Sequence, residues 1–454
     1  MFCQDKKYGV LGLARSGIAA AYKIKELGGH AFLSEVKNKE DVPTYKQLEN
    51  DFDCEFGGHT KRLLECDEWI VSPGIPLNSS VIEMGRNHKI HMISEIEFGF
   101  QIKSSDSKLI AVTGSNGKST TASLIAHIIK ESGHNCILGG NIGDSFCSFP
   151  IEKPGIDYII LEVSSFQLDL IDTFKPNIAL LLNITPDHLN RYASFLDYAK
   201  SKVSIFKNQT EKDLAILNAD DQLSGRLADS IYAQKCYFSA DEKRSAKTDV
   251  WLDYPLIRFS NCANTYNVNE MQIRGPHNHQ NAMAATLACR SAGISIPDIF
   301  EGLRSYKALK HRLQFIDKVN GIDFYNDSKA TNTDSVKYAL LSFEKPIRII
   351  MGGSDKNEDF DVLTDLLKQK ARAVYITGAT TTKMLETWKD KLDVVAIDDF
   401  EQCIRQAFED SSDGDVIVLS PACASYDRFK NFEERGDTFI EIVYRIAAEY
   451  EKKI

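Results

Sequence analysis

Residues 109–121 read LIAVTGSNGKSTT. An apolar strand, Leu109 to Thr113, runs into a Gly-Ser-Asn-Gly turn, and Lys-Ser-Thr then opens a helix reaching about Ser132. Strand, glycine turn and helix in that order suit a nucleotide phosphate. Glycines let the backbone wrap closely, and the N–H groups of the turn and of the helix start point at the anion. Lys118 supplies a point charge and Ser119 a hydroxyl for Mg²⁺. Gly114, Ser115, Asn116, Gly117 and Thr120 complete the expected nucleotide-phosphate contacts. The general signature G-x-x-x-x-G-K-[ST] is not met. Val112 occupies its first glycine position, and Gly114 comes two residues nearer the lysine.

Two later strands end in groups that suit a metal. Tyr158 to Leu161 is apolar and ends at Glu162; Ile178 to Asn183 leads to Thr-Pro-Asp187-His188. In a parallel sheet both ends emerge on the edge that carries the phosphate loop, where α/β sheets hold ligands. A carboxylate and an imidazole beside a polyphosphate can ligate or position Mg²⁺. Lys202 lies in FLDYAKSKVSIF (195–206), with helical apolar spacing at Tyr198, Val203 and Phe206. Local chemistry alone makes it a surface lysine.

Working outward, short β-type runs alternate with helical stretches along the whole chain, the pattern of α/β domains with mostly parallel sheets. The 454 residues suggest three domains. The polar break KSSDSK (103–108) and the basic stretch YKALKHR (306–312) set boundaries at 1–105, 106–308 and 309–454. The fold class expected is a Rossmann-like first domain, a central P-loop ATPase-type domain and a Rossmann-like third domain. Apolar runs such as Ile178 to Leu182 are far short of the roughly 20 residues of a membrane-spanning helix. No secretory signal is read at the N-terminus, and ten scattered cysteines without C-x-x-C fit a reduced, cytoplasmic protein. A net charge of −10 argues against a nucleic-acid surface. A switch GTPase is disfavoured because no N-K-x-D motif is found.

The chain resembles the Mur ligase family of peptidoglycan synthesis. The resemblance rests on TGSNGKST (113–120), GGNIG (139–143), LEVSSFQL (161–168), NITPDHLNRY (183–192), GPHNHQNAMAA (275–285), HRLQF (311–315), NDSKATNTDS (326–335) and SPACASYDRFKNFEERG (420–436). The shortened phosphate loop is the form that family uses. The last segment points to the member that adds D-glutamate. Folylpolyglutamate synthase shares the phosphate loop but lacks a domain ahead of it.

The resemblance implies an ATP-dependent ligase acting on small molecules. Its first domain would bind the UDP part of UDP-MurNAc-L-Ala, its second ATP, and its third D-glutamate. ATP would phosphorylate the substrate carboxylate, and the amine of D-glutamate would displace phosphate from the acyl phosphate. Two Mg²⁺ ions are implied, held by Ser119, Glu162, His188 and Lys202, the last as a CO₂-derived carbamate. Lys118, Glu162, His188 and Lys202 are thus the implied catalytic set. Asn278 and Asn281 would lie on the adenine side, and Arg312 and Asp327 would reach ATP from the third domain. Ser16, Lys37, Asn141, Ser164 and Gln167 would meet the UDP substrate, with Arg15 beside Ser16 in the GLARSG loop. Lys329, Thr331, Lys356, Ser425 and Phe432, the last through its N–H, would meet D-glutamate. Asn190 stands where related enzymes often carry Asp. A monomer without membrane insertion is expected.

Overall fold

The computed structural model of the chain describes residues 3–187, 191–241, 248–355 and 358–452. These residues form three mostly parallel sheets with helices between the strands, the α/β class expected from the alternation. They fall into two compact units: Met1–Glu270 with Gln280–Ser305, and Met271–His279 with Tyr306–Ile454.

The first unit holds two sheets. The first contains β1 (Lys7–Leu11), β2 (His30–Ser34), β3 (Asp53–Glu55), β4 (Glu68–Val71) and β5 (His91–Ile93), ordered β3-β2-β1-β4-β5. All its pairings are parallel. The strand order reverses beside β1, so the loop after β1 opens at a switch point. The helix Arg15–Glu26 presses onto that loop. A Cβ on Gly17 would collide with the Gly12 carbonyl, so this approach needs glycine.

After β5 the helix Glu95–Ile102 carries two fully buried carboxylates. Glu97 accepts hydrogen bonds from the main-chain N–H groups of Asp172 (2.8 Å), Thr173 (3.0 Å) and Phe174 (2.8 Å), and from the Thr173 hydroxyl at 2.5 Å. Glu95 accepts from Cys147 N at 2.6 Å, and burial raises its carboxyl to about 7. Its Oε2 has no hydrogen-bond partner among the described residues.

The second sheet contains β6 (Lys108–Thr113), β7 (Cys136–Gly140), β8 (Tyr158–Glu162), β9 (Ile178–Leu181), β10 (Leu214–Asn218), β11 (Gln234–Ser239), β12 (Val250–Asp253), β13 (Leu256–Phe259) and β14 (Cys262–Asn267). Its order is β14-β13-β12-β11-β10-β9-β6-β8-β7. The pairings from β7 through β12 are parallel; β13 and β14 are antiparallel additions. β6 lies centrally between β8 and β9, with Val112 opposite Glu162 and Thr113 opposite Leu181. Sequence patterning did not anticipate β12–β14. Their Asp, Asn, Tyr and Arg residues break the apolar runs that mark buried strands.

The second unit holds β15 (Gln314–Val319), β16 (Ile322–Asn326), β17 (Ile347–Met351), β18 (Ala371–Ile376), β19 (Val394–Ala396) and β20 (Val416–Leu419), ordered β15-β16-β20-β17-β18-β19. Apart from the β15–β16 hairpin, its pairings are parallel. Both faces are covered. Ile347, Ile349, Val374, Ile376, Val416 and Val418 join one core, and Ile350, Tyr375, Ile417 and Leu419 the other. Continuous apolar strands with both faces buried are what a parallel sheet requires. The ends of β16, β20 and β17 lie side by side.

Candidate active site

The phosphate loop is laced to the end of β9. Ser115 N donates to Asn183 O at 3.0 Å and Asn116 N to Asn183 Oδ1 at 2.8 Å, while Asn183 Nδ2 returns a bond to Asn116 O at 3.1 Å. The Ser115 hydroxyl donates to Thr185 O at 2.9 Å and accepts from Thr185 N at 3.0 Å. Gly114 and Gly117 have φ of +151° and +84°, a region that favours glycine. Gly117 caps the helix Lys118–Glu131. Lys118 Nζ donates to Gly114 O and Ser115 O, both at 2.8 Å. Ser119 and Thr120 are buried in the first helical turn. The loop is thereby fixed, and the first helical turn brings its N–H groups, a lysine and a hydroxyl to a helix N-terminus, a combination suited to a polyphosphate.

Lys202 is not the surface lysine that local spacing suggested. It is 2% exposed and donates to Gly114 O at 2.8 Å, with its Nζ 4.6 Å from the centroid of the Tyr198 ring. Burial pushes its ammonium well below the usual range, and the Lys118 charge pushes the same way. Asp187, Glu162 and Asp169 only partly oppose this. The neutral amine is thereby favoured. Tyr198, one helical turn earlier, lies within 3.0 Å of the Ser115 hydroxyl and ties the helix Phe195–Val203 to the loop.

Glu162, 2% exposed, ends β8 beside the loop. Its Oε1 accepts from Asn141 Nδ2 at 2.7 Å, and its carbonyl accepts from Asn141 N at 2.8 Å. Arg15 steadies the Asn141 turn by donating to the carbonyls of Gly143, Asn141 and Gly140. Ser164 and Gln167 form a reciprocal capping box on the short helix Ser165–Leu168, a structural task in itself. Arg191 donates to Ile75 O at 2.8 Å and Gly74 O at 3.2 Å and stacks 4.3 Å over Phe166. Asn281 Oδ1 accepts from the Thr121 hydroxyl at 3.2 Å and sits against Gly117. Ser16 lies in the first turn of its helix, and Lys37 is exposed, its N–H bonded to Glu35 at 3.1 Å.

In the second unit, Asp327 is buried at the end of β16. It accepts from the Ser420 hydroxyl at 2.9 Å and from Leu313 N at 3.2 Å, which fixes the loop that carries Arg312. Burial raises its carboxyl to about 7. Asn278 donates to Arg274 O at 2.6 Å. Lys329 Nζ lies 5.1 Å over the Phe432 ring, Ser425 is buried, and the Ser328 hydroxyl donates to Phe432 O at 2.8 Å. Thr331 is half-buried two residues after Lys329. His188, Asn190 and Lys356 lie outside the described residues. Among the described residues no group of three His, Cys, Asp or Glu side chains is placed to hold a metal.

Three family models match the chain: the Mur ligase middle domain over residues 112–289, the Mur ligase glutamate ligase domain over 311–423, and the MurD N-terminal domain over 7–81. The UDP-N-acetylmuramoylalanine–D-glutamate ligase of Koribacter versatilis is 38% identical, with 100% of each chain covered. The enzyme of that name from Geobacillus kaustophilus is 38% identical over 98% of this chain and 99% of its own. The chain belongs to the Mur ligase family. The crystal structure of UDP-N-acetylmuramate–alanine ligase from Thermotoga maritima shares the fold, with a TM-score of 0.63 at 18% identity over 97% of this chain and 99% of that one.

Mur ligases are ATP-dependent and use Mg²⁺. Against that chemistry, the first unit gathers Lys118, Ser119, Glu162, Asn141 and Lys202 around one sheet edge. The second unit gathers Asp327, Lys329, Ser425 and Phe432 around another. Sequence reasoning missed Tyr198 and Arg191 in the first unit and Arg435 in the second. The four-residue spacing of Tyr198 and Lys202 was a usable signal, since it puts both on one helix face. Nothing local marks the two arginines.

Proposed function

We infer that the chain joins D-glutamate to the alanyl carboxylate of UDP-N-acetylmuramoyl-L-alanine, with ATP converted to ADP and phosphate, in cell-wall precursor synthesis. The observation that carries this reading is the full-length match to relatives named for that reaction. Residues 1–105 bind the UDP portion, residues 106–308 ATP, and residues 309–454 the amino acid. The enzyme works as a cytoplasmic monomer on small molecules. Among the described residues no helix is long and apolar enough to cross a membrane.

The donor set fits the ions the family uses. Ser119 and Glu162 offer hard oxygen ligands beside the phosphate loop, and the segment NITPDHLNRY (183–192) supplies His188. Bound Mg²⁺ would neutralise charge on the polyphosphate and on the carboxylate being phosphorylated. Lys202 suits carbamylation because only a neutral amine attacks CO₂. The neutral amine adds to CO₂, the N–C bond forms as one of the CO₂ C=O π bonds opens, and one proton leaves to solvent, so a neutral nitrogen becomes an anionic carbamate. Tyr198 and Gly114 O hold that nitrogen in place.

The remaining steps fall to this chain's groups. The N–H groups at the helix start, Gly117 through Thr120, cradle the phosphates within the Gly114–Thr120 loop, and Lys118 meets the transferred phosphoryl group. Asn278 and Asn281 flank adenine, while Asp327 positions Arg312 for ATP. Asn141, fixed by Glu162 and Arg15, meets the muramoyl-alanine end together with Ser164 and Gln167; Ser16 and Lys37 meet the UDP portion. Lys329, Thr331, Lys356, Ser425 and the Phe432 N–H hold the two carboxylates of D-glutamate. Its free amine can then attack the acyl phosphate through a tetrahedral intermediate.

The test is phosphate release with ATP, Mg²⁺ and UDP-MurNAc-L-Ala across a panel of amino acids. Release that requires D-glutamate, with the dipeptide product mass, is expected. Release supported instead by another amino acid would overturn the assignment of the third domain.

A further inference from the structure

Arg435 stands in the first turn of the helix Phe432–Glu451 and is 2% exposed. Two physical rules count against an arginine there. A cation near a helix N-terminus meets the positive pole of the helix dipole, and burial strips its hydration. Its hydrogen bonds to described residues all end on main-chain carbonyls or a hydroxyl. Nε donates to Ser328 Oγ at 3.0 Å, Nη1 to Ala424 O at 3.2 Å and Gly352 O at 3.5 Å, and Nη2 to Ser328 O at 2.8 Å and Cys423 O at 3.0 Å.

Those acceptors belong to the segments that follow β16, β17 and β20, so one guanidinium fastens three adjacent strand ends. The Ser328 hydroxyl then passes the link to Phe432 O at 2.8 Å. Lys329, Ser425 and Phe432 each either adjoin in sequence a residue that Arg435 holds or accept from Ser328. Burial lowers the guanidinium only to about 10, so it stays charged at neutral pH. No carboxylate supplies any of those hydrogen bonds. Asp427 and Asp327 act on it electrostatically without a hydrogen bond, and the guanidinium still places a positive charge behind the segments that meet the amino acid, suited to a ligand with two anionic ends.

We propose that Arg435 is the positioning residue of the amino-acid site, setting the strand-end geometry and the preference for an acidic over an uncharged amino acid. The proposal rests on the function inferred above. The full-length enzyme is assayed with D-glutamate and with D-glutamine, varying each substrate in turn, for Arg435→Lys and Arg435→Met. Arg435→Lys is expected to raise the KM for D-glutamate about tenfold, and Arg435→Met about a hundredfold. The KM values for ATP and UDP-MurNAc-L-Ala should stay within about twofold.

The advantage of D-glutamate over D-glutamine should shrink in Arg435→Met and persist in Arg435→Lys. Equal losses on both amino acids, or an equal rise in all three KM values, would overturn the proposal and leave Arg435 a packing residue. If Arg435→Met fails to fold, Arg435→Gln, which also removes the charge, carries the same comparison against Arg435→Lys. A wild-type enzyme that takes a different amino acid would sink the inferred function. Arg435 would still be judged there by selectivity between the acidic amino acid and its amide.

Discussion

Lys202 shows how burial and a neighbouring charge can set up chemistry. Its amine is held by a carbonyl 88 residues away, and lost hydration pushes its ammonium toward the neutral form. Lys202→Met should retain the melting temperature to within a few degrees and lower turnover by about a hundredfold or more. Carbon-13 NMR of the wild-type enzyme in labelled bicarbonate should show a carbamate that the variant lacks. A fully active variant would remove Lys202 from the reaction. Glu95 offers a second test, on stability. Its carboxyl ionises near 4.5 ordinarily and near 7 in the fold. Between those values the fold keeps a proton that the unfolded chain has released, so stability falls as pH rises and levels off above about 7. Glu95→Gln should therefore raise the melting temperature at pH 8 by about 2–4 °C and leave it nearly unchanged near pH 4.5. A wild-type curve parallel to the variant's would refute this. Asp327, raised to the same range, keeps its own share of the pH dependence in both proteins.

At the scale of elements, the turn before the helix Lys118–Glu131 is the most constrained piece. Gly117 has a φ of +84°, and a Cβ there would strike Asn281 Oδ1. Gly117→Ala should cost about 1–3 kcal/mol of stability and weaken ATP binding. Adding Asn281→Ala should relieve the clash and not the backbone strain, so calorimetric melting of the double variant should recover only part of the loss. Full recovery would show that sterics alone matter. This loop was legible in the sequence because glycine, lysine and hydroxyl residues are tied to it by local geometry. Glu162 was legible because an apolar strand announces where its carboxyl end falls. Lys202 and Arg435 were not. Their burial comes from segments brought in by sheet order, and a lone Lys or Arg on a helix reads as solvated. The resemblance, not local spacing, supplied the role of Lys202; its segment 420–436 contains Arg435 but gave that residue no role.

At the scale of the whole molecule, the alternation of strands and helices predicted three mostly parallel sheets, and three are present. The antiparallel strands β13 and β14 escaped it because half-exposed strands carry polar residues. The second unit also recruits Met271–His279 from well before its main run. There the His277 ring packs tilted against Tyr338 with centroids 5.1 Å apart, and Gly275 lies against Ser342. Residues 306–454 expressed alone should still fold cooperatively, since their sheet is buried on both faces. Their melting temperature should lie several degrees below that of a fragment that also carries 271–279. Equal melting temperatures would show that the recruited segment adds nothing.

Glu97 gives the order of synthesis a physical meaning. Its strand neighbours β1 to β5 are complete by Ile93, so the first sheet can form early during translation. The N–H groups that Glu97 accepts arrive only with Asp172 to Phe174, 75 residues later and beyond. At about 5–20 residues per second the ribosome needs roughly 4–15 s to make that stretch. Throughout that interval the nascent helix carries a carboxylate meant for the interior with its main-chain donors still unmade.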